Sequence, residues 1–157
     1  MKTAIIYYSK HGTTGQVARL IGEQLDKDVD YISLKECPKP DIRIYDRIIL
    51  GTSIYAGAPS RMVTQFCNRN QSLLEQKVIG LFICCMEKEK EAEEMDKAFP
   101  GYLQGLAIPK AILGGEFRFD KMNFIERFLT KKIAKVTSSV SRLRYDAIRE
   151  FVAKVKQ

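Results

Sequence analysis

Apolar residues in this chain fall alternately into short unbroken runs and into stripes of helical spacing, a rhythm that predicts strands alternating with helices. Ala4-Ile5-Ile6-Tyr7-Tyr8 is a continuous apolar run, the pattern of a parallel strand covered on both faces. Val17, Leu20, Ile21 and Leu25 then fall at i, i+3, i+4 and i+8, one face of a helix. Val29 to Leu34 reads as a second strand, with Pro38 and Pro40 in the loop beyond it. Asp46 to Ser53 is a third run, opening into the loop Ile54-Tyr55-Ala56-Gly57-Ala58. Pro59 suits the first turn of a helix whose inward face is Met62, Val63, Phe66 and Cys67.

Val78 to Cys85 is the fourth strand. Residues 87–97 carry six acids and three lysines, with Ala92, Met95, Ala98 and Phe99 as the buried stripe of a helix ending near Pro100-Gly101. The charges there read as a solvated face. Ala107 to Gly115 is a fifth strand, with Pro109 near its start. Ile148, Phe151, Val152 and Val155 place the last helix over about Tyr145 to Val155.

This alternation predicts a single α/β domain over residues 1–157, a doubly wound five-stranded parallel sheet. Right-handed crossovers and coverage of both faces put the first helix on one face and the later ones on the other, which strand order 2-1-3-4-5 satisfies. Ligands of such sheets bind at the strands' carboxyl ends where the winding reverses, here between strands one and three.

The stretch at that place is Tyr8-Ser9-Lys10-His11-Gly12-Thr13-Thr14-Gly15. Hydroxyls and glycine between a strand end and a helix start aim N–H and O–H groups at an anion, with the positive end of the helix dipole behind them. Ser, Thr and Gly also serve plain capping in any strand-to-helix turn. Lys10 adds a compensating charge, and neither Gly-Lys-Ser/Thr nor Gly-x-Gly-x-x-Gly is present. The loop therefore suits a terminal monophosphate better than a triphosphate or pyrophosphate.

Composition narrows the class. Hydrophobic residues at 45% and charged ones at 29% argue against disorder. The first strand begins at once, leaving no room for a signal peptide, and no apolar stretch reaches spanning length, so a cytoplasmic protein is expected. Cys37, Cys67, Cys84 and Cys85 form no Cys-x-x-Cys pair, and with one histidine no familiar metal site is expected. Adjacent Cys84 and Cys85 read as buried thiols.

Charge is concentrated. The chain carries a formal +7, and between Arg118 and Arg144 eight basic residues face two acids. Within that stretch Phe124, Ile125, Phe128, Leu129, Ile133 and Val136 share one helical face, bordered by Arg127, Lys131, Lys132 and Lys135. Such a basic amphipathic helix can lie on an anionic membrane, or its stripe can pack on the domain. A peripheral contact with the inner face of the cell membrane through 118–144 is one expectation, and no nucleic-acid partner is expected.

The chain resembles the flavodoxin family, whose phosphate loop reads Thr/Ser-x-Thr-Gly-x-Thr. Ser9, Gly12 and Thr14 match, and His11 stands where a hydroxyl is usual. Gly51-Thr52-Ser53-Ile54-Tyr55-Ala56-Gly57 resembles the family's flavin-flanking loop. The resemblance implies FMN, its phosphate on Ser9, Lys10, His11, Gly12, Thr13 and Thr14. It implies a ring between Thr52, Ser53, Ile54, Tyr55, Ala56 and Gly57 on one side and Cys85, Met86 and Glu87 on the other. Tyr55 is the stacking candidate, otherwise an exposed loop residue, with Met86 or backbone on the opposite face. The resemblance further implies that the peptide at Gly57 turns over when N5 of the flavin is protonated. His11 is assigned a binding or capping role, since nothing in the sequence pairs it with a carboxylate.

In a minimal flavodoxin the fifth strand passes directly into the last helix, whereas here about two dozen residues, 119–142, intervene. Gly115-Glu116-Phe117-Arg118-Phe119 and Phe124-Ile125-Glu126-Arg127-Phe128-Leu129 are similar to an insertion in the menaquinone-dependent protoporphyrinogen oxidase branch of the family. The implied function is electron carriage between redox partner proteins, or alternatively oxidation of a reduced substrate with a quinone acceptor at the membrane surface. A receiver domain on the same sheet would need acids where Tyr8, Ser9, Thr52 and Ser53 stand, and a low-molecular-weight phosphatase would need a cysteine in the first loop.

Overall fold

The structure is a computed structural model that describes residues 1–25, 28–117, 119–134 and 139–157. Its frame is β1 (Thr3–Tyr8), α1 (Thr13–Gly22), β2 (Val29–Ser33), β3 (Arg47–Tyr55) and the two-residue β4 (Ala58–Pro59). These are followed by α2 (Arg61–Arg69), α3 (Gln71–Lys77), β5 (Val78–Cys84), α4 (Glu91–Ala98), α5 (Gly101–Gln104) and β6 (Lys110–Ile112). β7 (Glu116–Phe117), a 3-10 turn (Phe119–Lys121), α6 (Phe124–Ala134), β8 (Val140–Ser141) and α7 (Tyr145–Val155) complete it.

Five parallel strands run in the order β2-β1-β3-β5-β6, the expected 2-1-3-4-5 arrangement. Alternation within each strand splits the core into two layers. Ala4 and Ile6 of β1, Leu50 of β3 and Leu81 and Ile83 of β5 pack with Phe66 of α2 and Met95 of α4. Ile5, Ile49 and Phe82 face the other way, onto Val17 and Ile21 of α1 and Phe151 of α7. The Phe82 and Phe151 rings meet edge-on at 6.2 Å.

Four expectations are corrected. α7 lies beside α1, not with the intermediate helices, because α1 alone leaves Phe82 and Leu113 uncovered on that face. Pro59 belongs to β4, an antiparallel return strand on β3, and α2 starts after Ser60, whose hydroxyl accepts from the Met62 N–H at 3.2 Å. The fifth strand spans only Lys110–Ile112, although the Leu81 N–H still donates to the Pro109 carbonyl at 3.0 Å. In α4 the inward stripe is Glu94, Met95 and Ala98 with Glu91 half-buried, whereas Ala92 is exposed. The acid run is thus not wholly a solvated face.

The insertion is framed by β7 and β8, paired antiparallel as Glu116 with Ser141 and Phe117 with Val140. Three residues of the expected apolar face of α6 are solvent-facing. Phe124, Ile125 and Phe128 are 84%, 67% and 59% exposed, while Thr130 is buried and Glu126 half-buried. Lys135, Val136 and Arg118 of that expectation lie outside the described residues.

Candidate functional site

The carboxyl ends of β1, β3 and β5 open together into one cleft of about 790 Å³, counting the open solvent at its mouth. Its floor is the β1–α1 loop. Gly12 sits at φ 100°, a left-handed conformation that lets the chain turn sharply into α1, and its N–H donates to Ser9 Oγ at 2.9 Å. The N–H groups of Thr13, Thr14 and Gly15, in the first turn, have no acceptors within the helix. Ser9, Lys10, His11, Thr13 and Thr14 all line the cleft.

Thr14 is fully buried, and among the described residues its hydroxyl has the Cys84 thiol beside it but no nitrogen or oxygen partner. The neighbouring Cys84 thiol is a poor substitute, since sulfur is a weak acceptor and burial pushes this thiol up to about 12, keeping it neutral. A buried hydroxyl left in this way is an unmet demand for an acceptor at the loop's centre.

The second wall is the β3–β4 hairpin. Its two-residue turn, Ala56-Gly57, has positive φ at both positions (49° and 74°), the requirement of a type I′ hairpin. Ser53, Ile54, Tyr55, Ala56 and Gly57 all line the cleft. Thr52 does not: it is buried within β3, its hydroxyl donating to the Ser53 carbonyl at 3.3 Å. The third wall is Cys84, Cys85, Met86 and Glu87 at and after the end of β5.

Sequence reasoning missed the roof. Met122 and Thr130 of the insertion, Gly115 and Glu116 before it, and Glu94 of α4 also line the cleft. The carboxylate of Glu126 reaches His11 Nε2 at 2.7 Å and Lys10 Nζ at 3.4 Å, and the Tyr55 hydroxyl donates to its carbonyl at 3.4 Å. Lys10 Nζ lies 4.0 Å from the centroid of the Tyr55 ring and His11 meets that ring edge-on at 5.5 Å. Glu116 accepts from Thr13 Oγ1 at 3.2 Å and from Ser141 Oγ at 3.0 Å.

His11 is therefore paired with a carboxylate 115 residues away, which no local pattern could show. Burial would raise the Glu126 carboxyl, but the His11 bond, the Asn123 N–H and the Lys10 charge outweigh it and hold it below its usual range. Cys85, like Cys84, is pushed up to about 12 by burial, so neither thiol is a nucleophile near neutral pH.

A doubly wound sheet of order 2-1-3-4-5, with a hydroxyl-rich first loop and two further loops meeting at the switch point, defines a flavodoxin-like α/β domain. The chain belongs to the flavodoxin family: the model of the Flavodoxin domain matches residues 4–143. A curated relative, the protoporphyrinogen IX dehydrogenase [quinone] of Escherichia coli K12, is 20% identical over 94% of this chain and 87% of its own. Among solved structures, a Streptococcus flavodoxin superposes with a TM-score of 0.63 at 14% identity, covering 99% of this chain and 98% of that one. A Fusobacterium nucleatum flavodoxin variant bound to flavin mononucleotide gives 0.53 at 16% identity, covering 99% and 95%.

Proposed function

We propose that this chain is an FMN-binding flavoprotein that carries electrons between partners. The observation behind the reading is the buried Thr14 hydroxyl, without a nitrogen or oxygen partner among the described residues and set among first-turn N–H groups where a phosphate oxygen would accept from all of them. The residues fit the group: Ser9, Thr13 and Thr14 would hold the phosphate, with Tyr55 and Met86 against the ring. Bound FMN supplies one- and two-electron redox chemistry. The protein's share is to position the ring, shield it under the insertion, and offer at Gly57 a peptide able to reorient. Purified protein should be yellow and should quench the fluorescence of added FMN. A colourless polypeptide that ignores micromolar FMN ends the proposal.

A second reading, transfer of electrons to a quinone at a membrane surface, draws support from α6. Among the described residues no helix is long and apolar enough to cross a membrane. Yet Phe124, Ile125 and Phe128 point away from the buried Thr130 side, and Arg127, Lys131 and Lys132 are exposed around them. An anionic lipid surface complements both features, at roughly 1 kcal/mol per basic side chain near the headgroups and about 1.5–3 kcal/mol for each large apolar side chain fully buried. Sedimentation with phosphatidylglycerol vesicles at low salt should carry the protein down, and Phe124→Ser with Phe128→Ser should leave it in the supernatant. Equal supernatants for both proteins would remove this reading and leave the carrier reading intact.

A further inference from the structure

One wall of the cleft carries a carboxyl that nothing above uses. Glu94 is only 5% exposed, lines the cleft next to Cys85, and its Oε2 atom has no hydrogen-bond partner. Glu87, Glu91 and Glu94 lie close together about the β5–α4 connection, and the first two have cations. Lys90 Nζ lies 3.2 Å from Glu87, and Arg144 grips Glu91 through both guanidinium nitrogens at 3.2 and 2.5 Å. No such bond reaches Glu94.

A buried carboxylate with only a thiol beside it and no cation is costly, and the usual resolution is to keep its proton. The groups facing Glu94 agree in their balance. Burial raises it most. The Cys85 thiol and the Lys90 charge act in the opposite direction, Glu87 and Glu91 raise it further, and the net displacement is upward. From β3 and β4 the cleft wall opposite brings only uncharged residues, Ser53 to Gly57.

We propose that Glu94 is a proton-donating residue of the cleft, serving the second proton in the two-electron reduction of a quinone. The inference rests on the FMN reading and its quinone alternative. Quinone takes up two electrons and two protons to become quinol. An anionic reduced flavin gives both electrons and one proton, returning to its oxidised form. The O–H bond of Glu94 breaks to give the other proton, and the resulting carboxylate regains one from water. Of the other carboxyls in or beside the cleft, Glu116 accepts from Thr13, and Glu126, outside the lining, is bonded to His11 and Lys10. Glu87 is held by Lys90. Glu94 has no cation on it, and burial raises its proton affinity.

Wild type, Glu94→Gln and Glu94→Asp, all titrated with FMN and then reduced, test this. FMN affinity should match in all three, and Glu94→Gln should reduce a water-soluble menaquinone analogue roughly 100-fold more slowly. Its residual rate should lack the wild type's decline as pH rises, and Glu94→Asp should restore part of both. Reduction of ferricyanide, which takes an electron and no proton, should be unchanged; a loss there equal to that with the quinone would mean misplaced structure and overturn the proposal. Thermal unfolding of the FMN-free proteins gives a readout without turnover. With the folded proton affinity raised, the unfolded chain ionises first. Wild-type stability therefore falls relative to Glu94→Gln as pH rises from about 4.5, until the folded group also ionises. A pH-independent difference, or equal quinone rates, overturns the role of Glu94 with FMN binding intact. Failure of the wild type to bind FMN overturns the reading beneath it.

Discussion

Replacing Thr14 by Val should move two measurements in opposite directions. The side chain keeps its shape, so packing in this fully buried position is preserved, and what disappears is a hydroxyl with no nitrogen or oxygen partner among the described residues. An unsatisfied buried polar group costs about 1–3 kcal/mol, so the FMN-free variant should be more stable by about 1 kcal/mol, a rise in Tm of about 2–4 °C for a chain of this size. With FMN the sign reverses. A hydrogen bond to a charged acceptor is worth about 1.5–3 kcal/mol, which lowers affinity roughly 10- to 100-fold. Scanning calorimetry of the two apo proteins and fluorescence-quenching titrations with FMN read both quantities. Riboflavin, which has no phosphate, should bind the two proteins alike. A lower apo Tm, or equal FMN affinities, would show that the hydroxyl is satisfied in some other way and that the loop is an ordinary cap.

Glu126→Gln should loosen the insertion by about 1.5–3 kcal/mol, the scale of a charge-assisted bond, seen as faster hydrogen exchange across α6 with β1 and β3 unchanged. Since the folded carboxyl lies below its usual range, this contribution is present above the unfolded value near 4.5 and fades as pH falls through the lower folded one. α6 of the wild type, not of the variant, should therefore become protease-sensitive in acid. Gly57→Ala meets no atom within 4 Å but must hold φ 74°, so it should cost about 1 kcal/mol. It should also shift the one-electron potential of bound FMN while leaving FMN affinity near wild type; an unchanged potential argues against a moving peptide there. Of the four free cysteines only Cys37 is exposed, so Ellman's reagent should modify one thiol in the native protein and four after denaturation. Rapid native reaction of a second would contradict the burial of Cys84 and Cys85.

How far the sequence could be read follows from what each pattern responds to. Ile5 and Ile6, or Ile48 to Leu50, are apolar because both faces of the sheet are covered, and such runs identify strands whatever their neighbours are. The phosphate-type loop was legible for a related reason: its chemistry is contiguous, lying within Ser9 to Thr14. Its counterweights were not, because Glu116 and Glu126 arrive from more than 100 residues downstream and sequence spacing carries no trace of that closure.

The Ala92 stripe expected of α4 and the open alternatives for α6 share one cause. Periodicity finds the face of a helix turned toward an apolar core, and it assumes that whatever a helix packs on is apolar. α4 and α6 each turn part of one face to the cleft instead. In α4 a stripe through Ala92 looked better than one through Glu94, yet Glu94 is inward and Ala92 outward. In α6 the domain offers His11 and Lys10 as partners, so Glu126 and Thr130 turn in and Phe124, Ile125 and Phe128 are left facing out. A large apolar side chain fully exposed forgoes about 1.5–3 kcal/mol of burial, so three of them are a cost that the isolated domain gains nothing from. Three exposed apolar side chains opposite an inward Glu126 and Thr130 are consistent with a second surface that covers the outer face. The carboxyls and hydroxyl turned inward on α4 and α6 mark the cleft, and the exposed apolar trio marks the face of α6 proposed to meet lipid.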